Sequence, residues 1–293
     1  MNLFDRIGFK LVEKDIEPVA YVRHGKSVRA FVFIAGFNQS AESWLEMVNQ
    51  ISREHTIAVL IRRQEDKQAN HWLGWMSLGS QQKEVLSKLL YLKRHDLANK
   101  KLTLVGHSVG ALLARHCLVS EPIRNCTERL VQINPVPLTW WGFTFNIKLW
   151  LFGGLLTIPS AILALLCLTR GFSPPKVAVS GLFARGVSAN LREYYQSLVP
   201  DSTLVFLQLV IWYNGTKEWK MVRRAWTCPS YVVLTPEDPV IGHLAATDIW
   251  ESDPVPLSSH LTWLQPNTPH CFWLGSEEEK NINMARLRAI IEG

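Results

Sequence analysis

Charge is scarce along this chain, and its cysteines are scattered rather than spaced. Only 19% of the 293 residues are Asp, Glu, Lys or Arg, against 47% that are hydrophobic. That balance excludes a disordered chain and predicts a globular protein with a large core. The five cysteines, Cys117, Cys126, Cys167, Cys228 and Cys271, are odd in number and show no Cys-x-x-Cys spacing. A disulfide framework and a zinc site are both disfavoured, and a reducing, cytoplasmic compartment is expected. Met1 to Glu13 carries charges every few positions and no apolar run, so no secretory signal is expected. The net charge is +6, yet Lys and Arg form no run interleaved with aromatics, which argues against nucleic acid as a partner. No phosphate-cradling Gly-rich loop and no His pair at ligand spacing occurs, so neither cofactor nor metal is expected.

What is present is an alternation of apolar runs and helical patterns, the signature of an α/β protein. Phe9–Val12 and Val19–Val22 suggest an opening hairpin, followed by buried strands at Val28–Ala35 and His55–Ile61. Between the latter two, Ser43–Ser52 predicts a helix with Trp44, Met47, Val48 and Ile51 on one face. Gln81–His95 predicts a second, with Val85, Leu86, Leu89, Leu90 and Leu92 inward. Leu102–Val105 and Arg129–Asn134 are further strands, around a helix over Val109–Ser120. From about Pro135 to Trp226 the alternation stops. It resumes with strands at Tyr231–Leu234 and Leu261–Leu264 and a last helix near Glu277–Ile291.

The sharpest motif is Gly106-His107-Ser108-Val109-Gly110, set between the apolar strand Leu102–Val105 and the apolar helix that follows. A strand-to-helix turn this tight has no room for side chains at 106 and 110, which explains both glycines. The residue between them is strained, with its hydroxyl pushed out at the strand end. This reads as a nucleophile elbow with Ser108 as nucleophile. His107 beside it is expected to pack beneath the elbow.

A serine hydroxyl needs a base, usually His, oriented by a carboxylate. In a doubly wound sheet both must come from later strand ends on the elbow's edge. Thr235-Pro236-Glu237-Asp238-Pro239-Val240 follows the strand Tyr231–Leu234 and offers Asp238, with Glu237 as rival. His243, His260 and His270 follow in order. His243 lies at a helix start just past the acid, and His260 lies at or inside a strand. His270, in the polar loop 265–270, is the candidate base.

These residues together resemble the α/β-hydrolase superfamily, in its cap-containing branch of esterases, lipases and thioesterases. The resemblance rests on the elbow at 106–110, Thr-Pro-Glu-Asp-Pro-Val at 235–240 and Pro269-His270, and it covers roughly Phe9–Ile291. The order Ser, Asp, His is the family's order. The resemblance implies an α/β-hydrolase fold, a mostly parallel central sheet flanked by helices, with a helical cap inserted after the sixth strand. The core would then be 1–134 with 227–293, and the cap 135–226. By the same resemblance Ser108, Asp238 and His270 carry over as nucleophile, orienting acid and base. The oxyanion hole would use the backbone N–H groups of Val109 and Phe37. Here Ala35-Gly36-Phe37 departs from the family's usual His-Gly pair, which affects the pose of that loop. Ser in place of Asp as nucleophile disfavours dehalogenase or epoxide-hydrolase chemistry.

Within the expected cap, 149–169 holds no charged residue and is bracketed by Lys148 and Arg170. By length alone it could span a bilayer. Strands on both sides must join one sheet, however, and Gly153-Gly154 and Pro159 break a continuous helix. Apolar cap helices lining a greasy pocket are the first expectation, a cap dipping into a membrane interface the second. Trp140, Trp141, Trp150 and Leu156 are the candidate substrate-contacting residues. The function expected is hydrolysis of a lipophilic carboxylic ester through an acyl-enzyme. A thioesterase or acyltransferase uses the same triad. A C–C bond hydrolase or lyase, or a hydrolase-like binding protein, would be a different class.

Overall fold

A computed structural model describes residues 2–65, 76–136, 198–202, 204–205, 208–209, 228–236, 238, 261–265, 268–274 and 276–293. Among these, eight strands form one sheet in the order β1-β2-β4-β3-β5-β6-β7-β8. They are β1 Lys10–Lys14, β2 Glu17–Arg23, β3 Arg29–Ile34, β4 Thr56–Leu60, β5 Lys101–His107, β6 Thr127–Ile133, β7 Ser230–Leu234 and β8 Leu261–Trp263. β1 and β2 pair antiparallel, β2 runs antiparallel to β4, and every pairing from β4 onward along the sheet is parallel. The described helices are α1 Leu3–Arg6, α2 Leu45–Gln50, α3 Leu78–His95, α4 Val109–Cys117, α5 Glu121–Arg124 and α6 Glu277–Glu292.

Period-two alternation in the strands divides the core between two faces. On β3, Ala30, Val32 and Ile34 join a cluster with Val85, Leu89 and Leu92 of α3 and Leu112 and Leu113 of α4. Phe31 and Phe33 point the other way, into a cluster with Trp44, Met47, Val48 and Met284, Leu287 and Ile291 of α6. With helices on both faces, the central strands can be apolar throughout, and β4 is buried at every position. The predicted faces of both early helices hold: Trp44, Met47, Val48 and Ile51 are buried, and Leu86 and Leu90 lie partly buried beside Val85, Leu89 and Leu92.

Boundaries moved where local chemistry was stronger than periodicity. α3 starts at Leu78 rather than Gln81 because the Ser77 hydroxyl accepts from the Ser80 N–H and caps it. α2 is preceded by a 3-10 turn, Ala41–Trp44. The hairpin strands extend further than expected, to Lys14 and from Glu17, and turn at Asp15 (φ 51) and Ile16 (φ 75).

The expected cap falls almost wholly outside the described residues, including Trp140, Trp141, Trp150 and Leu156. Its described flanks pack onto the sheet domain: Val136, Val205 and Leu209 are buried in the cluster that holds α3 and α4. No helix among the described residues is long and apolar enough to cross a membrane.

Candidate active site

Parallel β5, β7 and β8 end at one edge, and Ser108, Asp238 and His270 follow those ends in turn. β5 terminates in the elbow. Ser108 adopts φ 53 and ψ −121, a region that costs a non-glycine residue about 1–3 kcal/mol and persists only when its surroundings impose it. Those surroundings are backbone. A Cβ at Gly106 would come within 2.5 Å of the Ala111 backbone, and one at Gly110 within 2.2 Å of the Ile34 carbonyl oxygen. The Ser108 N–H donates to Ile133 O at 2.9 Å, which pins the turn to the end of β6. Directly after Ser108, Val109 opens α4, so its peptide lies at the positive end of a helix.

Asp238 follows β7, and its N–H donates back to Thr235 O at 3.2 Å in a tight turn. Its Oδ2 lies 2.6 Å from Nδ1 of His270, with both side chains buried. That is the contact an orienting carboxylate makes with a base. Glu237, the rival acid, and His243 and His260, the rival bases, lie outside the described residues.

The loop carrying His270 is tied to the elbow by two side chains. His107 Nε2 lies 2.9 Å from the His270 carbonyl oxygen, and its ring centroid is 4.8 Å from that of His270. Asn134 Nδ2 donates to the same carbonyl at 2.9 Å. Asn134 also accepts from the Thr235 N–H at 2.8 Å and donates to Thr235 Oγ1 at 2.9 Å. With φ 42, just past β6, it bridges the loops that carry Asp238 and His270. His107 itself is wholly buried, as expected beneath the elbow. Burial first, then the neighbouring His270, hold its pKa well below the usual imidazole value. It is a neutral spacer.

On the other side of the elbow lies the loop after β3. A Cβ at Gly36 would meet Gln39 Oε1 at 2.7 Å and His107 O at 3.0 Å, so only glycine lets the loop approach this closely. Gln39 Oε1 accepts the Gly36 N–H at 2.8 Å and lies 3.0 Å from His107 Nδ1, while its Nε2 donates to Cys271 Sγ at 3.4 Å. Phe37, half-buried, follows Gly36 on this loop.

Four residues around the site escaped the sequence reading. Gln39 lay in plain view, in the very loop assigned to the oxyanion hole, but nothing local marks a glutamine as a brace. Asn134 sits at a strand end, where the available signal was an Asn, a residue type that readily takes positive φ. The Arg62–Asp201 pair joins residues 139 positions apart and left no signal at all.

A model of the alpha/beta hydrolase family matches residues 31–280 of the chain. No curated protein sequence matches it. Among solved structures, a hydrolase from Oleispira antarctica superimposes with a TM-score of 0.65 at 13% identity, covering 94% of this chain and 94% of that one. A soluble variant of monoglyceride lipase from Saccharomyces cerevisiae gives 0.63 at 10% identity, covering 97% and 94%. An extracellular α/β-hydrolase from a Paenibacillus species gives 0.59 at 18% identity, covering 89% and 98%. At these identities the likeness is one of fold.

Proposed function

The chain belongs to the α/β-hydrolase family, and from that premise we propose that it is a serine hydrolase that cleaves a lipophilic carboxylic ester through an acyl-enzyme. The observation that carries the proposal is the buried Asp238–His270 contact at 2.6 Å, on a loop hydrogen-bonded to the residue before a strained Ser108. A merely structural Asp238–His270 pair would not call for Ser108 to be held at φ 53 at the end of β5.

Ser108 Oγ attacks the ester carbonyl as His270 Nε2 takes its proton, and Asp238 steadies the imidazolium that results. The N–H groups of Val109 and Phe37 stabilise the oxyanion, a contribution worth about two to three orders of magnitude in rate per donor. Collapse of the tetrahedral intermediate expels the alkoxide, which receives the proton from His270. Water, deprotonated by His270, then releases the acid and restores Ser108.

The lipophilic part of the proposal rests on composition. Residues 149–169 carry no charge, and Trp140, Trp141 and Trp150 stand in or beside that stretch of a chain with 12 tryptophans. A cap that walls the site with these residues favours an apolar acyl group, and the same face suits peripheral contact with lipid. The test is a p-nitrophenyl ester series from acetate to decanoate, followed for an initial burst of p-nitrophenol. A burst with kcat/KM rising along the series supports the reading. Turnover without Ser108 overturns the mechanism, and preference for a CoA thioester over every ester replaces the substrate class.

A further inference from the structure

Behind the Gly36–Gln39 loop lies a buried ion pair that the mechanism above does not use. Arg62, just past β4, and Asp201, beyond the long apolar segment, meet at 3.0 Å with side-chain exposures of 1% and 0%. Gln81 of α3 closes the triangle: Arg62 Nη2 donates to Gln81 Oε1 at 2.7 Å, and Gln81 Nε2 donates to Asp201 Oδ1 at 2.7 Å. Burying two charges is costly, and an apolar pair of similar volume generally holds a fold as well. What the charges do here is grip a backbone. Arg62 Nη1 donates to the Gly36 carbonyl at 2.8 Å, and Asp201 Oδ2 accepts the Asn38 N–H at 3.2 Å. Those two groups flank Phe37 on either side. Asn38, at φ 57, adds a reciprocal clasp: its Nδ2 donates to Val199 O at 2.9 Å, and its carbonyl accepts the Val199 N–H at 3.1 Å.

We propose that Arg62 and Asp201 are positioning residues for the oxyanion hole, clamping the peptides on both sides of Phe37 so that its N–H is aimed before substrate arrives. The proposal rests on the serine-hydrolase reading. Its physical basis is that oxyanion stabilisation depends on donors fixed in advance, with no reorganisation left to the moment of reaction. The loop's own bonds, Gly36 N–H to Gln39 Oε1 at 2.8 Å and Gln39 N–H to Gly36 O at 3.2 Å, hold the turn's shape, and the Arg62–Asp201 pair adds anchors from outside it. An anchor from each side, one donating and one accepting, sets both the position and the tilt of the intervening peptide. Because Asp201 and Val199 follow the apolar segment 149–169 in the chain, the clamp also ties a stretch C-terminal to that segment to the Gly36–Gln39 loop.

The experiment compares the wild type with Asp201→Asn, Arg62→Lys, the apolar double variant Arg62→Met/Asp201→Leu, and Asn38→Gly. Each is assayed for kcat and KM on p-nitrophenyl butyrate, for affinity toward an alkyl boronic acid, and for thermal unfolding. The boronate places a tetrahedral oxygen where the oxyanion forms, so it reports the hole without turnover. Asp201→Asn and Arg62→Lys are expected to lower kcat by about 10- to 100-fold and boronate affinity by a similar factor. KM should stay within about twofold and the pH profile should keep its shape, because the triad is untouched. The double variant, if folded, should share the kcat defect despite recovered stability. Asn38→Gly tolerates the positive φ and removes the side-chain bond to Val199 while leaving both charges in place, so it is the milder variant; a kcat lowered about three- to tenfold is expected. Wild-type kcat and boronate affinity in Asn38→Gly, or in any folded clamp variant, overturn the proposal. Failure of the wild type to react with a fluorophosphonate would instead remove the serine-hydrolase reading beneath it.

Discussion

Oδ2 of Asp238 lies 2.6 Å from Nδ1 of His270, although 32 positions separate them in the chain. Asp238 leaves the end of β7 and His270 lies between β8 and α6, so neighbouring parallel strands deliver both to one edge of the sheet. Asn134 crosses between their loops, bonding Thr235 on the Asp238 side and the His270 carbonyl on the other. The pair is therefore held from its backbone as well as through its own contact.

Asp238→Asn is expected to lower kcat on a p-nitrophenyl ester by about three to four orders of magnitude, because the amide favours the wrong imidazole tautomer. Glu237→Gln should change kcat by less than about threefold. Steady-state kinetics on both variants checks the assignment, and a reversed ranking would move the acid to Glu237.

Gly110→Ala should destabilise the fold by about 3 kcal/mol or more, since its Cβ would sit 2.2 Å from the Ile34 carbonyl oxygen, a backbone atom that cannot swing aside. Gly79→Ala is the control. There, among the described residues, a Cβ would meet only Ser77 Oγ, at 3.8 Å, in the first turn of α3. It should stabilise by about 0.5 kcal/mol through the unfolded chain. Urea unfolding of the two variants gives the comparison; equal effects would mean the elbow tolerates a side chain.

Burial pushes the Glu65 carboxyl up to about 7, against the hydrogen bonds it accepts from the Ala41 and Arg62 N–H groups. Its folded value lies above its unfolded one, so the native state binds the extra proton between roughly pH 4.5 and 7. Stability owed to this group is then present below that window and is lost as pH rises through it. Relative to Glu65→Gln, wild-type protein should lose stability from pH 5 to pH 8. Parallel melting curves across that range would show that the carboxyl is not perturbed.

If residues 149–169 wall an acyl pocket, four additional methylenes on the acyl group should raise kcat/KM by roughly two orders of magnitude, at about 0.8 kcal/mol for each one buried. Leu156→Asp should raise KM for long esters and spare acetate. Liposome sedimentation run beside the kinetics separates a pocket wall from a lipid-facing surface. A wild type that prefers acetate and leaves liposomes unbound would end the lipophilic reading.

Legibility followed the range of the interactions involved. The elbow could be read because its causes are local: Gly106 and Gly110 answer to backbone a few residues away or in the adjacent strand. The paired faces of β3 and the inward stripe of α3 could be read because one period governs each. The hairpin turn at Asp15-Ile16 was missed because no glycine or asparagine announces it, and a β-branched residue at φ 75 is not what a turn signal predicts. The start of α3 shifted because one serine hydroxyl outweighed a missing apolar position. The Arg62–Asp201 clamp was invisible for a different reason: neither residue has a local pattern, and only the folded chain shows what they grip.

The most direct measurement of the central claim is the intact mass of the protein after treatment with a fluorophosphonate, for the wild type and for Ser108→Ala. The account predicts one phosphonyl adduct on the wild type, mapped to the peptide that contains Ser108, and none on the variant, with both proteins showing the same circular dichroism. An adduct retained on folded Ser108→Ala, or a wild type that carries none, would contradict it.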